Sequence, residues 1–237
     1  MTTETQQMLA ALGLLHDDMA AFKQDSVDAL AATRAAMGTG FTLLYVDQVN
    51  GDDQAAGDAA NPIQTFEEAV SRQAYGGQLL VRVVGDYLQD KLLSVRNGSM
   101  ILRSADVGNR STITVRSSRT EAANSIYCAG FAPQAGRPAG ISFLDIKLAA
   151  DNDPLPANVT QPAFIHLNAG TTVYLQNTYL DFSSANGQVF GLLQGTAGLT
   201  ISSVNSPQSL AGDWLYGVAA GTASSTLPQL STNITTL

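Results

Sequence analysis

Two segments, ISFLDIKL at residues 141–148 and TVYLQNTYLDF at residues 172–182, determine the architecture predicted for this chain. Both alternate apolar and polar residues, but the phase slips halfway, so that Phe143 follows one phase and Leu148 the other. A flat strand keeps a single phase because its successive side chains point to opposite faces of the sheet. The slip therefore predicts a corner, after which a new short strand again directs its apolar residues inward.

The corner residues align when the two segments are superposed. Asp145 then lies over Asn177, and the segment LTISSV at residues 199–204 adds Ser203 at the same place. Short polar side chains bond to nearby backbone groups, and Asn and Asp tolerate left-handed conformations. Spacings of roughly 26–32 residues lie within the periods typical of solenoids. We therefore expect a mainly β fold, a β-solenoid; a β-sandwich would not explain why the corner residues align.

Short strands of the same kind recur along the body of the chain. Many short strands with few helices between them indicate an all-β domain. The other predicted strands are FTLLYV at 41–46, LLVRVV at 79–84, MILR at 100–103, TITV at 112–115, AFIHL at 163–167 and VFGLL at 189–193.

Residues 1–40 differ in composition and form a separate predicted segment. Residues 4–37 contain no Pro and a single Gly, and they are rich in the helix formers Ala, Leu, Met and Gln. A helix with one narrow apolar stripe is marginal alone in water and needs a partner. We expect an N-terminal α-helix that anchors the protein and forms a trimeric bundle; the alternative is a helix folded back on its own domain. The predicted seam comprises Met8, Leu12, Leu15, Met19, Phe22 and Leu30.

Composition excludes several classes of function. The 237 residues include 12 Lys and Arg against 20 Asp and Glu, giving a net charge of −8. An acidic chain offers no obvious basic face for phosphates, so nucleic acid is not an expected partner. The sequence contains no run of about 18 apolar residues, so we expect no membrane insertion. The start MTTETQQ lacks the features of a Sec-type signal peptide.

The segment at residues 45–87 combines several local signals. Thr65 followed by Glu68 forms a capping box that predicts a short helix at about 65–75. Such a helix would cover the exposed first coil of a solenoid. The body is predicted to span residues 41–218, and residues 219–237 form a loose tail or a last strand.

This segment resembles a known family. The run Y-V-D, G-D-D, N-P-I-Q-T-F-E-E-A-V and then L-L-V-R-V-V-G-D-Y is similar to the opening of right-handed parallel β-helix proteins of the pectate-lyase type. The likeness is strongest to the fibres and tailspikes of tailed phages. It implies a homotrimer that docks through its N-terminal segment on other virion proteins (capsid, portal or baseplate) and contacts a receptor or capsular polysaccharide on the host.

The resemblance thus implies a virion protein, assembled in the bacterial cytoplasm and exposed on the particle surface. We expect a structural, non-enzymatic fibre or spike. One alternative is a polysaccharide-degrading lyase or hydrolase on the same scaffold, and another is an adaptor that connects the particle to a further fibre.

The residues favour no catalytic, metal or cofactor site. A depolymerising enzyme would need paired carboxylates for acid–base work, or a Lys or Arg base beside a metal-held acidic sugar. The candidates are Asp145 with Lys147, Asp181, and the loop carboxylates Asp151 and Asp153. We expect Asp145 to serve as a corner residue, and Lys147 and Asp181 to face solvent. The loop from Asp47 to Asp53 lacks the calcium-loop pattern, so an Asx-type turn is expected there.

Surface recognition has two candidate places. Trp214 and Tyr216 would share one face of a strand, where aromatic rings suit contact with sugar or protein; the alternative is packing against a neighbouring subunit or the last coil. The loop at residues 149–162 contributes Asp151, Asn152 and Asp153, since long loops on a rigid body often carry binding function. The alternative for this loop is a solvated excursion.

Overall fold

The chain divides into two units, Met1–Thr39 and Gly40–Leu237. Every structural statement below concerns the residues that the computed structural model describes, which are 19, 40–74, 76–95, 98–116, 129–133, 139–151, 163–166, 172–181, 191–194, 198–204, 218–219, 221–227 and 230–232.

The second unit consists mainly of short strands. Its one α-helix among the described residues is α1, Phe66–Ser71, and a 3₁₀ turn covers Ser224–Thr226. The strands are β1 Phe41–Asp47, β2 Gln78–Val84, β3 Tyr87–Gln89, β4 Leu92–Val95, β5 Gly98–Ser104, β6 Thr112–Val115, β7 Gly130–Pro133, β8 Ala139–Leu144, β9 Lys147–Ala150, β10 Ala163–His166, β11 Thr172–Asp181, β12 Gly191–Gln194, β13 Gly198–Val204 and β14 Leu230–Thr232.

All ladders between these strands are parallel. The first strand set pairs in the order β1, β2, β5, β8, β11, β13 and β14. The second half of β11 pairs with β9, which continues through β6 to β3 and forms the second strand set. The third strand set contains β4, β7, β10 and β12. Because β11 belongs to both, the first and second sets form one curled, all-parallel sheet.

The chain visits the three sets in a fixed order, as in β2, β3, β4 and then β5, β6, β7. We call each such passage a coil. Equivalent strands of successive coils pair in register, which places Leu79, Met100, Ile141 and Val173 in one buried column. Burying each such side chain contributes roughly 1.5–3 kcal/mol. The expected mainly β architecture is confirmed, and the in-register parallel stacking is compatible with a solenoid-like fold.

The corner prediction holds for two of its three residues. Asp145 and Asn177 have φ values of 52° and 49°, and Nδ2 of Asn177 donates to Oδ1 of Asp145 at 2.7 Å. The ladder between β11 and β13 shifts at this point and pairs Ser203 with Gln176. Placing Ser203 directly over Asn177 was therefore wrong by one position, because a bulge interrupts the register there.

Helix α1 is shorter than predicted, and only half of its capping box forms. Oγ1 of Thr65 accepts from the Glu68 amide at 3.2 Å, as expected. The Thr65 amide, however, donates to Oδ1 of Asp53 at 2.8 Å instead of to Glu68. The Glu68 carboxylate accepts from Nε of Arg72 at 2.7 Å, so an ion pair one helical turn away takes the place of the reciprocal cap.

The buried face of α1 closes the start of the core. The Phe66 ring stacks on Tyr87 with centroids 3.8 Å apart and lies 6.0 Å from Phe131. The outer edge of β1 is also covered, since the Tyr45 amide donates to Gly57 and the Tyr45 carbonyl accepts from Ile63. Paired groups at this edge leave less backbone available for intermolecular strand pairing.

The predicted tail contains a strand, because β14 pairs with β13. None of the described helices is long and apolar enough to cross a lipid bilayer.

Candidate functional site

The turn between the first and second strand sets differs in length from coil to coil. It is short after β2 and after β8, where residues 85–86 and 145–146 connect the strands. After β5, residues 105–111 form a longer excursion, which we call the corner loop. A long turn beside a short one leaves a depression on the outer surface.

Two buried serines close the base of the corner loop. The Ser111 amide donates to Oγ of Ser104 at 3.0 Å, and the two hydroxyl oxygens lie 3.2 Å apart. Oγ of Ser111 donates to the Val83 carbonyl at 2.8 Å, which ties the loop to the preceding coil. The loop is therefore anchored at its base while Asp106 and Asn109 remain exposed.

The depression is a groove of about 410 Å³, which we call the corner groove. This volume falls in the range of small-ligand sites, about 300–1,000 Å³. Its lining combines carboxylate, amide, guanidinium and hydroxyl groups with a few small apolar ones. The lining residues are Val84, Gly85, Asp86, Ala105, Asp106, Asn109, Arg110, Ser111 and Thr112.

Hydrogen bonds fix the two groove carboxylates through one oxygen each. Oδ1 of Asp86 accepts from the Thr112 amide at 2.7 Å, and Oδ1 of Asp106 accepts from the Gly108 amide at 2.8 Å. Within the described part of the chain, Oδ2 of either residue accepts no hydrogen bond. Gly85 has a φ of 66°, which lets the chain turn tightly just before Asp86. The groove therefore presents oriented acceptors to solvent.

A polar network extends from the groove across the next two coils. Nη2 of Arg110 donates to Oδ1 of Asn177 at 2.8 Å. Asn177 in turn donates to Asp145, whose other oxygen accepts from Nε of Arg103 at 2.7 Å. We call Arg103, Arg110, Asp145 and Asn177 the corner network. It links three successive coils on the outer surface and holds one edge of the groove.

The corner network keeps Asp145 ionised. Partial burial acts to raise the pKa of Asp145, but the hydrogen bond from Asn177 and the charge of Arg103 outweigh it, so the pKa lies below the usual aspartate value. A carboxylate in this state is a poor proton donor at neutral pH. Its bonds and its left-handed backbone agree with the predicted role as a corner residue.

Two further candidates for acid–base chemistry, Lys147 and Asp181, form a surface ion pair. Nζ of Lys147 lies 3.0 Å from Oδ2 of Asp181 and 5.3 Å from the centre of the Tyr179 ring. Both charged side chains are about one-third exposed, at 34% and 36%, as expected for residues that face outward. The structure thus gives Lys147 and Asp181 a mutual ion pair on the second strand set.

The acidic loop after β1 has the predicted Asx-type turn. Oδ1 of Asp47 accepts from the amides of Val49 and Asn50, both at 3.0 Å. Partial burial acts to raise the pKa of Asp47, but these amide bonds and the Asn50 side chain lower it overall. Among the described residues, no group of three or more potential ligands of the His, Cys, Asp and Glu types could hold a metal ion.

The predicted recognition residues are mostly outside the described residues. Asp151 is described; it is half-buried, and its amide donates to the Val115 carbonyl at 2.9 Å. Trp214, Tyr216, Asn152 and Asp153 lie outside the described residues, as do the seam residues Met8, Leu12, Leu15, Phe22 and Leu30. Met19 of the predicted seam is described and is 65% exposed.

Sequence reasoning missed the corner groove. The available signal was the run SADVGNRS at residues 104–111, which is polar and longer than the turns at Gly85 and Asp145. Comparison with protein-family models, with curated proteins and with solved structures finds no match to this chain.

Proposed function

We propose that this chain is a right-handed parallel β-helix that forms a short homotrimeric fibre or spike on a phage or phage-like particle. In this proposal residues 1–40 attach the protein to other virion proteins, and the β body binds a receptor or capsular polysaccharide on the host surface without cleaving it. Two observations support this architecture: equivalent strands stack in parallel, and the sequence of residues 45–87 resembles the opening of right-handed parallel β-helix proteins.

The observation that carries the binding role is the corner groove. Hydrogen bonds within and between coils fix its walls, so little ordering is needed when a ligand binds. Among the described residues, the groove atoms left without a hydrogen bond are acceptors on Asp86 and Asp106 and donors on Asn109 and Arg110. A trimer would present three such grooves, and their combined avidity would compensate for weak single sites.

The state of the candidate carboxylates favours binding over cleavage. Asp145 is held by Arg103 and Asn177, and Asp181 is paired with Lys147. Neither arrangement provides a protonated acid beside a free base, which glycoside hydrolysis requires. An enzyme would instead release new reducing ends, or unsaturated ends in the case of a lyase.

The test uses the full chain, labelled with a fluorophore, on host cells and on their purified surface polysaccharide. We expect saturable binding, no release of sugar ends, and weaker binding by the variant Asn109→Ala. The matched control is Val107→Ala, because Val107 lies in the same corner loop, is 48% exposed and does not line the groove. Binding to virion proteins alone would overturn the proposal in favour of the adaptor, and release of sugar ends would overturn it in favour of the enzyme.

A further inference from the structure

The charges of the corner groove restrict what it can bind. Asp86 and Asp106 contribute two carboxylates to the lining, and Arg110 contributes one guanidinium. Nη2 of that guanidinium bonds Asn177 of the corner network, in which Asp145 is already ion-paired with Arg103. Within the lining, the single positive charge of Arg110 offsets only one of the two carboxylates, so the groove keeps a net negative charge.

The hydrogen-bonding capacity of the lining suits hydroxyl groups. The oxygens of Asp86 and Asp106 that accept no bond within the described residues match hydroxyl donors, while the Asn109 amide and the remaining Arg110 N–H groups match hydroxyl oxygens. A ligand with many neutral hydroxyls satisfies both sets. A ligand carrying a carboxylate, sulfate or phosphate faces repulsion from two fixed carboxylates.

We propose that the corner groove binds a neutral, hydroxyl-rich sugar segment in preference to acidic sugars. The inference rests on the proposed function, because it names the ligand class of the same groove. The net negative charge at the rim of this open groove should weaken the binding of a singly charged acidic ligand by about tenfold. Discrimination of this kind comes from repulsion of the wrong ligand as much as from attraction of the right one.

The experiment compares sugars that differ in charge alone. Neutral trisaccharides of glucose, galactose and mannose are each paired with the same trisaccharide oxidised to the carboxylate at C6. Binding to the full chain is measured by saturation-transfer NMR and titration. We expect at least one neutral probe to bind about tenfold more tightly than its oxidised partner.

The variant pair Asp86→Asn and Asp106→Asn identifies the source of the discrimination. Asparagine keeps the side-chain oxygen that accepts from the Thr112 or Gly108 amide, so the groove retains its shape. In the double variant the ratio between neutral and acidic probes should fall toward one, whereas Val107→Ala should keep the wild-type ratio.

The outcomes separate this inference from the proposed function. Equal or tighter binding of the acidic probes, or a ratio that the double variant leaves unchanged, overturns the inference. Binding to host cells without binding to any neutral probe also overturns it, while the proposed function stands. Absence of binding to cells, polysaccharide and probes overturns both.

Discussion

Asp145 combines a strained backbone with a bonded side chain, and substitutions can separate the two contributions. Its φ of 52° lies in the left-handed region, which Gly and Asn adopt more readily than Ala. Its carboxylate accepts from Arg103 and Asn177, both at 2.7 Å. We compare Asp145→Ala, which loses the side-chain bonds and adds strain, with Asp145→Gly, which loses the bonds alone.

The magnitudes follow from these contacts. Each hydrogen bond to a charged group is worth about 1.5–3 kcal/mol, but solvent screens this corner, where the Arg103 side chain is 35% exposed, so we expect the loss of both bonds to cost about 2 kcal/mol. A left-handed alanine adds about 1 kcal/mol. Asp145→Ala should therefore lower the free energy of unfolding by about 3 kcal/mol and Asp145→Gly by about 2 kcal/mol. Asp145→Asn keeps the backbone preference and an acceptor, so its loss should be about 1 kcal/mol.

The assay is urea unfolding of the full chain, followed by far-ultraviolet circular dichroism. A glycine variant less stable than the alanine variant would show that backbone strain at this corner is smaller than the entropy that glycine adds to the unfolded chain. An alanine variant within about 0.5 kcal/mol of wild type would show that the corner network does not stabilise the stack.

The same residue predicts a dependence on pH. The pKa of Asp145 is lowered in the folded state, so its stabilising effect is fully present above the unfolded value of about 3.9 and is lost as the pH falls through the folded value. The stability difference between wild type and Asp145→Asn should be largest at neutral pH and should shrink below about pH 4. A difference that grows on acidification would contradict this assignment.

Three further predictions concern the start of the β domain and its outer surface. Phe66→Ala should lower the free energy of unfolding, measured in urea, by about 3–5 kcal/mol. Tyr87→Phe keeps the stacked ring and loses only the bond from the Phe66 amide, so it should lower that free energy by about 1 kcal/mol. Equal losses in the two variants would contradict the packing argument. Arg72→Lys removes the guanidinium, whose two terminal nitrogens donate to three carbonyls of the loop at residues 52–60. Elastase should therefore cleave this loop after its alanines faster than in wild type. An unchanged cleavage rate would contradict the anchoring role of Arg72. Lys147→Ala removes an exposed ion pair and should change stability by less than about 1 kcal/mol; a larger loss would show a role beyond that pair.

The corner and the strands around it were predictable because they depend on local chemistry. Opposite apolar phases before and after Asp145 indicate that the chain must turn there, and Asp tolerates the conformation that the turn requires. The strands that were missed, β3, β4 and β7, are short. One of them, Gly130–Pro133, contains two residues that are unfavourable in strands, and parallel neighbours determine its conformation.

The groove and the arginine contacts of the corner network were not predictable because they depend on distant residues, whereas the alignment of Asp145 with Asn177 followed from the repeated phase slip. Arg110 bonds Asn177 across 67 positions, and no local pattern around either residue indicates the pairing. The contact at the Thr65 amide also depends on a distant residue. The amide donates to the carboxylate of Asp53, 12 residues earlier in the chain, instead of to Glu68 as the capping box predicts. Both contacts follow from how coils and loops stack rather than from periodicity.

The stacking itself is testable through one outward-facing row, Leu80, Ile101, Ser142 and Tyr174, whose members are register partners in successive coils. Spin labels are attached to cysteine pairs that combine Leu80→Cys with a cysteine at each of the other three positions. Cys128→Ser provides the background, and excess unlabelled chain suppresses signals between molecules. The backbone separation inferred from electron spin resonance should increase by roughly 4.8 Å with each coil. Separations that do not increase in that order, as in two face-packed layers, would show that the coils do not stack in register.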